Sequence, residues 1–424
     1  MSNLAQPLAA RKAALSYTNI VLRGHGDPGM VIDPQGRLSA SERSEAKRLA
    51  IAVLRHRSNL DTLIQRYANK PAPPSVRQIL YLLLVETQLF KTQDFASVHS
   101  AVELAKSDPA TKGKFSGFVN AVARQLAELP PQTLSTMKPP KLPKPLRGPM
   151  IGAYTQPVVE RIEAAHTKGA PLDLCFKSGS PLPEISDGQS FAPGHLRLKS
   201  DMQVSKLPGY SDGAFWVQDF AAQMPIRALG PVEGLSVLDL CAAPGGKTMQ
   251  LAAGGANVTA LDISEHRMTR LRENLDRTKL TADVIVADAL TWEPDAQYDL
   301  VVLDAPCSAT GTIRRHPDLP YHKGNADLVS LMELQRALTA RAAHCVSPGG
   351  RLLVITCSLL PKEGEGLAKW TEETLPGLRP DPLQPVDDTI VIDTPNQVRL
   401  RPDMRADQGG MDGFFFALYR AEIR

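Results

Sequence analysis

The chain has 424 residues, 43% hydrophobic and 22% charged, enough apolar material for several packed domains and too much for wholesale disorder. No run of about 18 apolar residues occurs, which excludes a membrane-spanning helix, and residues 1–10 lack the apolar stretch of a secretion signal, so secretion is not expected. The net charge of +3 hides a split: residues 1–150 carry 21 basic and 10 acidic side chains, a surplus of +11, and residues 151–424 carry −8.

A basic module joined to an acidic one suits a part that grips a polyanion and a part that does chemistry. The five cysteines, at 175, 241, 307, 345 and 357, form no CxxC pair and no His/Cys cluster at zinc spacing. Neither a disulfide framework nor a metal is therefore expected, and a reducing, cytoplasmic setting fits.

Residues 8–128 read as helical throughout. Ser39-Ala40-Ser41-Glu42 has the spacing of a capping box, in which serine and glutamate each satisfy the other's backbone N–H. After it Leu49, Val53, Leu54, Leu60, Leu63 and Ile64 recur at three- and four-residue steps. Ile79, Leu80, Leu82, Leu83 and Val85 predict a helix apolar on most sides, at the centre of a bundle. Val98, Val102 and Ala105, then Phe115, Phe118, Val119 and Val122, predict two more. Arg48, Arg55, Arg57, Arg77, Lys112, Lys114 and Arg124 decorate these helices. Seven prolines between Pro130 and Pro149 argue against a helix and for an extended connector. The expected division is a helical domain at 1–135, a Pro/Lys-rich linker at 136–150, a small α+β subdomain at 151–230 and a larger domain at 231–424.

The subdomain offers a helix around Val158–Ala165 and strand candidates at Leu172–Phe176 and His195–Leu198. From Leu235 the pattern becomes strand–helix alternation, with strands expected at Ser236–Leu240, Val258–Ile263, Val284–Val286, Leu300–Leu303 and Leu352–Thr356. This predicts a doubly wound α/β sheet, Rossmann-like, whose ligands sit at the carboxyl ends of its strands. Phe414–Tyr419 would add a last, antiparallel strand.

Chemistry concentrates at those strand ends. The first is followed by Cys241-Ala242-Ala243-Pro244-Gly245-Gly246-Lys247, small residues that let backbone N–H groups approach a ligand closely. It is neither GxxxxGK[ST] nor GxGxxG, so alone it could be a tight strand–helix corner. Asp262 ends the second strand about twenty residues on, where a carboxylate accepts from ribose hydroxyls. Asp288 follows the third, placed to meet an adenine edge, and Asp304 ends the fourth. Cys307 lies just past the fourth strand and Cys357 ends the fifth; if those strands are neighbours, both thiols converge on one cleft. Cys175, Cys241 and Cys345 read as ordinary small buried residues, Cys241 lining the loop.

Two thiols and a carboxylate suit one demanding substitution. Carbon 5 of cytosine attacks a methyl group only after a thiolate adds to carbon 6. A second group must then assist loss of the carbon 5 proton and expulsion of the thiolate. Asp304 is placed to hydrogen-bond the exocyclic amine or ring nitrogen. The residues alone leave open which thiol attacks.

The motifs DLCAAPGGKT (239–248), LDIS (261–264), DAPCSATGTIRRHPD (304–318), TCS (356–358) and DGFFFA (412–417) resemble the RNA cytosine-5 methyltransferase family. Within it the chain is most similar to bacterial small-subunit rRNA enzymes with a NusB-like N-terminal domain, whose last helix GFVNAVAR (117–124) resembles. PGYSDGAFWVQDFAAQ (208–223) looks like the family's lead into the catalytic domain. The resemblance implies S-adenosylmethionine as methyl donor, held by residues 241–247 with Asp262, Asp288 and Asp304. It implies Cys357 as nucleophile, Cys307 as the group assisting release and Asp304 as a third catalytic group. It implies RNA, most naturally ribosomal RNA, as partner, with no membrane or metal and a monomeric chain. Transfer RNA, less readily DNA, or a non-catalytic role in ribosome assembly are the competing expectations.

Three features depart from the family pattern: Ala309 occupies a place usually held by glycine, Glu363-Gly364-Glu365 lacks the asparagine of Glu-Asn-Glu, and Gly254-Gly255 end the helix after the first strand early. Arg314, Arg315 and His316 are expected to contact RNA phosphates.

Overall fold

The structure is a computed structural model that describes residues 8–23, 32–177, 185, 188–199, 202–321, 325–385 and 394–423. These fall into two compact units, one of residues 8–147 with 313–321, the other of 148–312 with 325–423.

The first unit is the expected helical bundle: α1 (Leu8–Leu22), α2 (Ala40–Tyr67), α3 (Pro74–Gln88), α4 (Asp94–Lys106), α5 (Ser116–Ala127) and the short α6 (Thr133–Thr136). The capping box forms: the Ser39 hydroxyl accepts from Glu42 N–H at 3.3 Å and the Glu42 carboxylate accepts from Ser39 N–H at 2.9 Å. Such a cap contributes about 1 kcal/mol to helix stability. α3 is the central helix, with Val76 and every residue from Gln78 to Gln88 buried. Its one carboxylate, Glu86, is buried against the Arg11 guanidinium at 2.5 Å, the pairing that a charge needs inside a bundle.

Residues 313–321 join this unit. The Arg55 guanidinium donates to the Arg314 carbonyl at 2.9 Å, and the Tyr321 hydroxyl to the Leu54 carbonyl at 3.2 Å. The Arg314 side chain is 0% exposed, which corrects the expectation that it meets phosphate; Arg315 is half-buried and His316 exposed. The reason is tertiary. Arg55, 259 positions away in sequence, anchors this segment to the bundle, and nothing in the local pattern announces it.

The proline-rich connector also needs correction, because α7 (Lys144–Tyr154) runs through its end. Pro145 is that helix's second residue, where the missing N–H would have no intrahelical acceptor anyway. Only Pro149, inside the helix, removes a hydrogen bond.

The second unit continues with α8 (Gln156–Lys168), then a three-stranded antiparallel sheet of β1 (Leu172–Phe176), β2 (His195–Leu198) and β3 (Phe215–Val217) in the order β2-β1-β3. After α9 (Phe220–Arg227) come β4 (Ser236–Leu240), α10 (Gly246–Ala253), β5 (Asn257–Asp262), α11 (Glu265–Thr278), β6 (Asp283–Val286) and β7 (Tyr298–Asp304). The chain ends with α12 (Asn325–His344), β8 (Val346–Thr356), α13 (Glu365–Thr374), β9 (Leu378–Pro380), β10 (Gln397–Leu400) and β11 (Phe414–Ala421).

The large sheet has the order β10-β11-β8-β7-β4-β5-β6, with β9 also on β11. β6, β5, β4, β7 and β8 are parallel, and β11 is antiparallel to β8. Alternate residues feed opposite cores: Val237, Leu300 and Val302 on one face, Leu238, Leu240, Val301 and Leu303 on the other. Burial on both faces explains why these strands read as continuous apolar runs. β9 and β10 are short and escaped the sequence pattern. The chain leaves β4 toward β5 on one side and β7 on the other, so the carboxyl ends of β4 and β7 frame the crevice where ligands of such sheets bind.

Candidate active site

The loop after β4 is shaped for close approach. Gly245 has φ +102°, and a Cβ there would lie 2.9 Å from Leu271 Cγ, so both conformation and space demand glycine. The loop closes onto Asp262 at the end of β5, whose carboxylate accepts from Ala243 N–H at 3.2 Å and Ser264 N–H at 2.9 Å. Asp262 is 2% exposed, so a ribose would have to use the remaining lone pairs of oxygens already engaged by the loop. Beyond it Ile263 is 68% exposed, an apolar surface at a strand end. Asp288 lies two residues past β6, exposed, its carboxylate accepting from Leu290 N–H at 2.9 Å.

Two residues of the first motif have partners that the sequence does not announce. The Lys247 ammonium donates to Asp304 Oδ2 at 2.6 Å and lies 5.4 Å from the Phe414 ring centroid. Burial works against its charge, but Asp304, Asp239 and Cys357 more than compensate and hold its pKa above the ordinary value. Asp239, not singled out in the sequence, is fully buried beneath the loop. Its Oδ2 accepts from the Thr248 hydroxyl at 2.6 Å, while Oδ1 has no partner among the described residues. Burial pushes its carboxyl up to about 7. Such an orphaned buried oxygen is uncommon in a folded protein.

Because β7 and β8 are adjacent and parallel, the two thiols meet: Cys307 Sγ and Cys357 Sγ are 3.4 Å apart, both half-buried. The hydrogen bond with Cys357, then burial, raises the Cys307 thiol well above its ordinary value. Cys241, in the loop, is pushed up to about 12 by burial and then by Asp304 and its neighbouring carboxylates, so it stays an inert thiol. Cys175 and Cys345 are buried, as their packing role requires.

The two cysteine loops are tied together. Gly311 N–H donates to the Cys357 carbonyl at 2.9 Å, and Gly413 N–H of the DGFFFA motif to the Gly311 carbonyl at 2.8 Å. A Cβ on Gly311 would fall 1.9 Å from the Gly413 carbonyl oxygen, a contact only glycine permits. Leu359 N–H donates to the Thr310 hydroxyl at 2.8 Å, and the Ser308 and Ser358 hydroxyls are 3.1 Å apart. Below them sit Glu363 and Gln335, whose contribution sequence reasoning missed. In the sequence Glu363 is only the first glutamate of Glu363-Gly364-Glu365, with no role implied, and Gln335 lies on α12 with no distinguishing local pattern.

Comparisons with known proteins find both parts of the chain in known families. Residues 226–420 match the family described as 16S rRNA methyltransferase RsmB/F, and residues 25–128 the NusB family. The chain is 33% identical over 432 residues to the ribosomal RNA small subunit methyltransferase B of Cronobacter sakazakii, covering 96% of each chain. It is 32% identical to the corresponding protein of Sodalis glossinidius, covering 84% of this chain and 86% of that one. Among solved structures, PH0851 superposes with a TM-score of 0.73 at 22% identity, covering 99% of this chain and 100% of that chain. A methyltransferase homolog protein from Pyrococcus horikoshii gives 0.54 at 25% identity, over 65% of this chain and 94% of that chain.

Proposed function

The chain belongs to the 16S rRNA methyltransferase RsmB/F family, and from that premise we propose that it methylates carbon 5 of a cytosine in small-subunit rRNA through a covalent Cys357 adduct. The observation that carries the reading is the 3.4 Å thiol pair beside the Lys247–Asp304 ion pair, at the carboxyl ends of adjacent parallel strands. An enzyme that only docks RNA needs no such pair.

The donor fits the residues present. The Gly245 turn, the Asp262 and Asp288 carboxylates and the exposed Ile263 side chain are polar and apolar groups of the kind a nucleoside with a charged tail requires. When bound, S-adenosylmethionine supplies an electrophilic methyl group on a sulfonium sulfur. Cys357 adds to carbon 6 of the cytosine and makes carbon 5 nucleophilic. Asp304, oriented by the Lys247 ammonium, hydrogen-bonds the exocyclic amine or ring nitrogen as charge moves into the ring. Cys307 assists as the carbon 5 proton leaves and the Cys357–carbon 6 bond breaks. The +11 surplus of residues 1–150 supplies a phosphate grip that orients the RNA and weakens with salt.

Adduct trapping tests this. Incubated with 16S rRNA and S-adenosylmethionine, Cys307→Ala accumulates a denaturation-resistant protein–RNA adduct and Cys357→Ala forms none. The reverse pattern would exchange the two roles. Absence of 5-methylcytosine after wild-type turnover would sink the reading, and a modified cytosine found only in transfer RNA would change the substrate.

A further inference from the structure

Glu363 is a carboxylate with 0% exposure that the mechanism above does not use. It lies just before α13, six residues after Cys357, and reaches both cysteine loops. Its Oε1 accepts from Ser308 N–H at 2.8 Å and from Gln335 Nε2 at 2.9 Å; its Oε2 accepts from the Ser358 hydroxyl at 2.6 Å and from the Ser308 hydroxyl. Gln335 in turn donates to the Pro306 carbonyl at 2.9 Å, on the other side of Cys307. Four neutral donors converge on two oxygens, an arrangement that fits a carboxylate acting only as acceptor. A buried negative charge with neutral partners is expensive, so its retention asks for a reason.

The geometry is asymmetric. Glu363 takes the backbone N–H immediately after Cys307 but only the side-chain hydroxyl after Cys357. On the other flank the Lys247 ammonium, held by Asp304, interacts electrostatically with Cys357. The Glu363 carboxylate is thus bonded to the residue that follows Cys307, whereas the Lys247 ammonium, itself paired with Asp304, interacts with Cys357. We propose that Glu363 is a positioning residue that decides which thiol attacks: its carboxylate fixes the two loops in register and places negative charge where it disfavours a second anion at Cys307, leaving Cys357 as nucleophile. This rests on the proposed cysteine mechanism and deepens it. Cys357 and Glu363 both oppose ionisation of Cys307, and the Ala309 backbone N–H favours it.

The test is alkylation of the full-length protein by iodoacetamide from about pH 6 to about pH 9, with each cysteine read by peptide mass spectrometry. In the wild type, Cys357 is expected to react about tenfold or more faster than Cys307 near pH 8. Glu363→Gln should narrow that gap to about threefold or less by accelerating Cys307, and Glu363→Asp, with its charge drawn back, should give an intermediate gap. Methyl transfer by Glu363→Gln should lose about tenfold or more in kcat with the KM for S-adenosylmethionine within about twofold. A wild-type gap in either folded variant overturns the proposal, and Glu363→Asp alone decides if Glu363→Gln does not fold. Narrowing accompanied by equal acceleration at buried Cys175 overturns it too, because that reports loosening of the whole unit. Alkylation needs no turnover, so these results stand apart from adduct trapping, where the underlying mechanism succeeds or fails.

Discussion

Two clusters of buried charge in the second unit are built on opposite plans. In the small sheet Asp173 is fully buried and saturated: Arg197 donates to it twice, at 2.6 and 2.7 Å, His195 lies at 3.3 Å and Phe220 N–H donates at 2.9 Å. Arg197 then spends its remaining donors on the carbonyls of Gln408 and Gly410, at 2.9 and 2.7 Å. Burial alone would raise the Asp173 carboxyl, but Arg197 and then His195 hold it below its ordinary value. At the ends of β4, β7 and β8 the polar groups are also paired, yet reactive atoms are left over: two thiols and one oxygen of Asp239. Saturation makes a clasp, and deliberate incompleteness makes a site. Burial and ion pairing by themselves do not separate the two; the thiol pair does.

Breaking the clasp should give the largest effect. Asp173→Asn leaves the Arg197 guanidinium buried beside a neutral amide and should cost about 3–5 kcal/mol in denaturant unfolding, with little change in turnover per folded molecule. Asp173 also makes the clasp pH-sensitive. A lowered folded pKa stabilises the protein above the unfolded value of 3.8, so this contribution should disappear as pH falls below about 4. The wild type should therefore lose more stability on acidification than Asp173→Asn, a difference readable in the slope of unfolding free energy against pH.

Breaking the site should act first on turnover. Asp304→Asn should reduce kcat about 100-fold in the folded protein, near 3 kcal/mol of transition-state stabilisation, and should also cost stability, because the buried Lys247 ammonium loses its ion pair. A large stability loss without a kinetic one would erase the distinction between the regions. The smallest effect concerns the loop between Cys307 and Gly311. Ala309 has φ +53°, a left-handed conformation where glycine is at ease and alanine is not. Ala309→Gly should stabilise the protein by about 0.5–1 kcal/mol, measured by urea unfolding. Destabilisation there would show that the alanine methyl contributes packing that outweighs the strain.

Much of this was readable before any coordinates. The five parallel strands, the helical bundle with its capping box and the strand-end positions of Asp262, Asp304, Cys307 and Cys357 follow from apolar periodicity and from residues that interrupt it. Those signals are local, and each can be seen within one element. The proline connector misled for a related reason: composition counts prolines, whereas a helix cares only where in its turns they fall, and Pro145 falls where none is harmed.

By itself the sequence determined which elements form and which residues with chemistry stand at their ends, because secondary structure and strand termini are written in patterns a few residues long. Tertiary structure alone decided that Cys307 and Cys357 touch, that Lys247 serves Asp304, that Arg314 is buried and that Glu363 joins both thiol loops. The contacts of Cys307 with Cys357, of Ser308 with Glu363 and of Lys247 with Asp304 link positions 50, 55 and 57 residues apart, and Arg55 reaches Arg314 across 259. No local pattern encodes them, since a carboxylate acquires its role only from the groups that folding places around it.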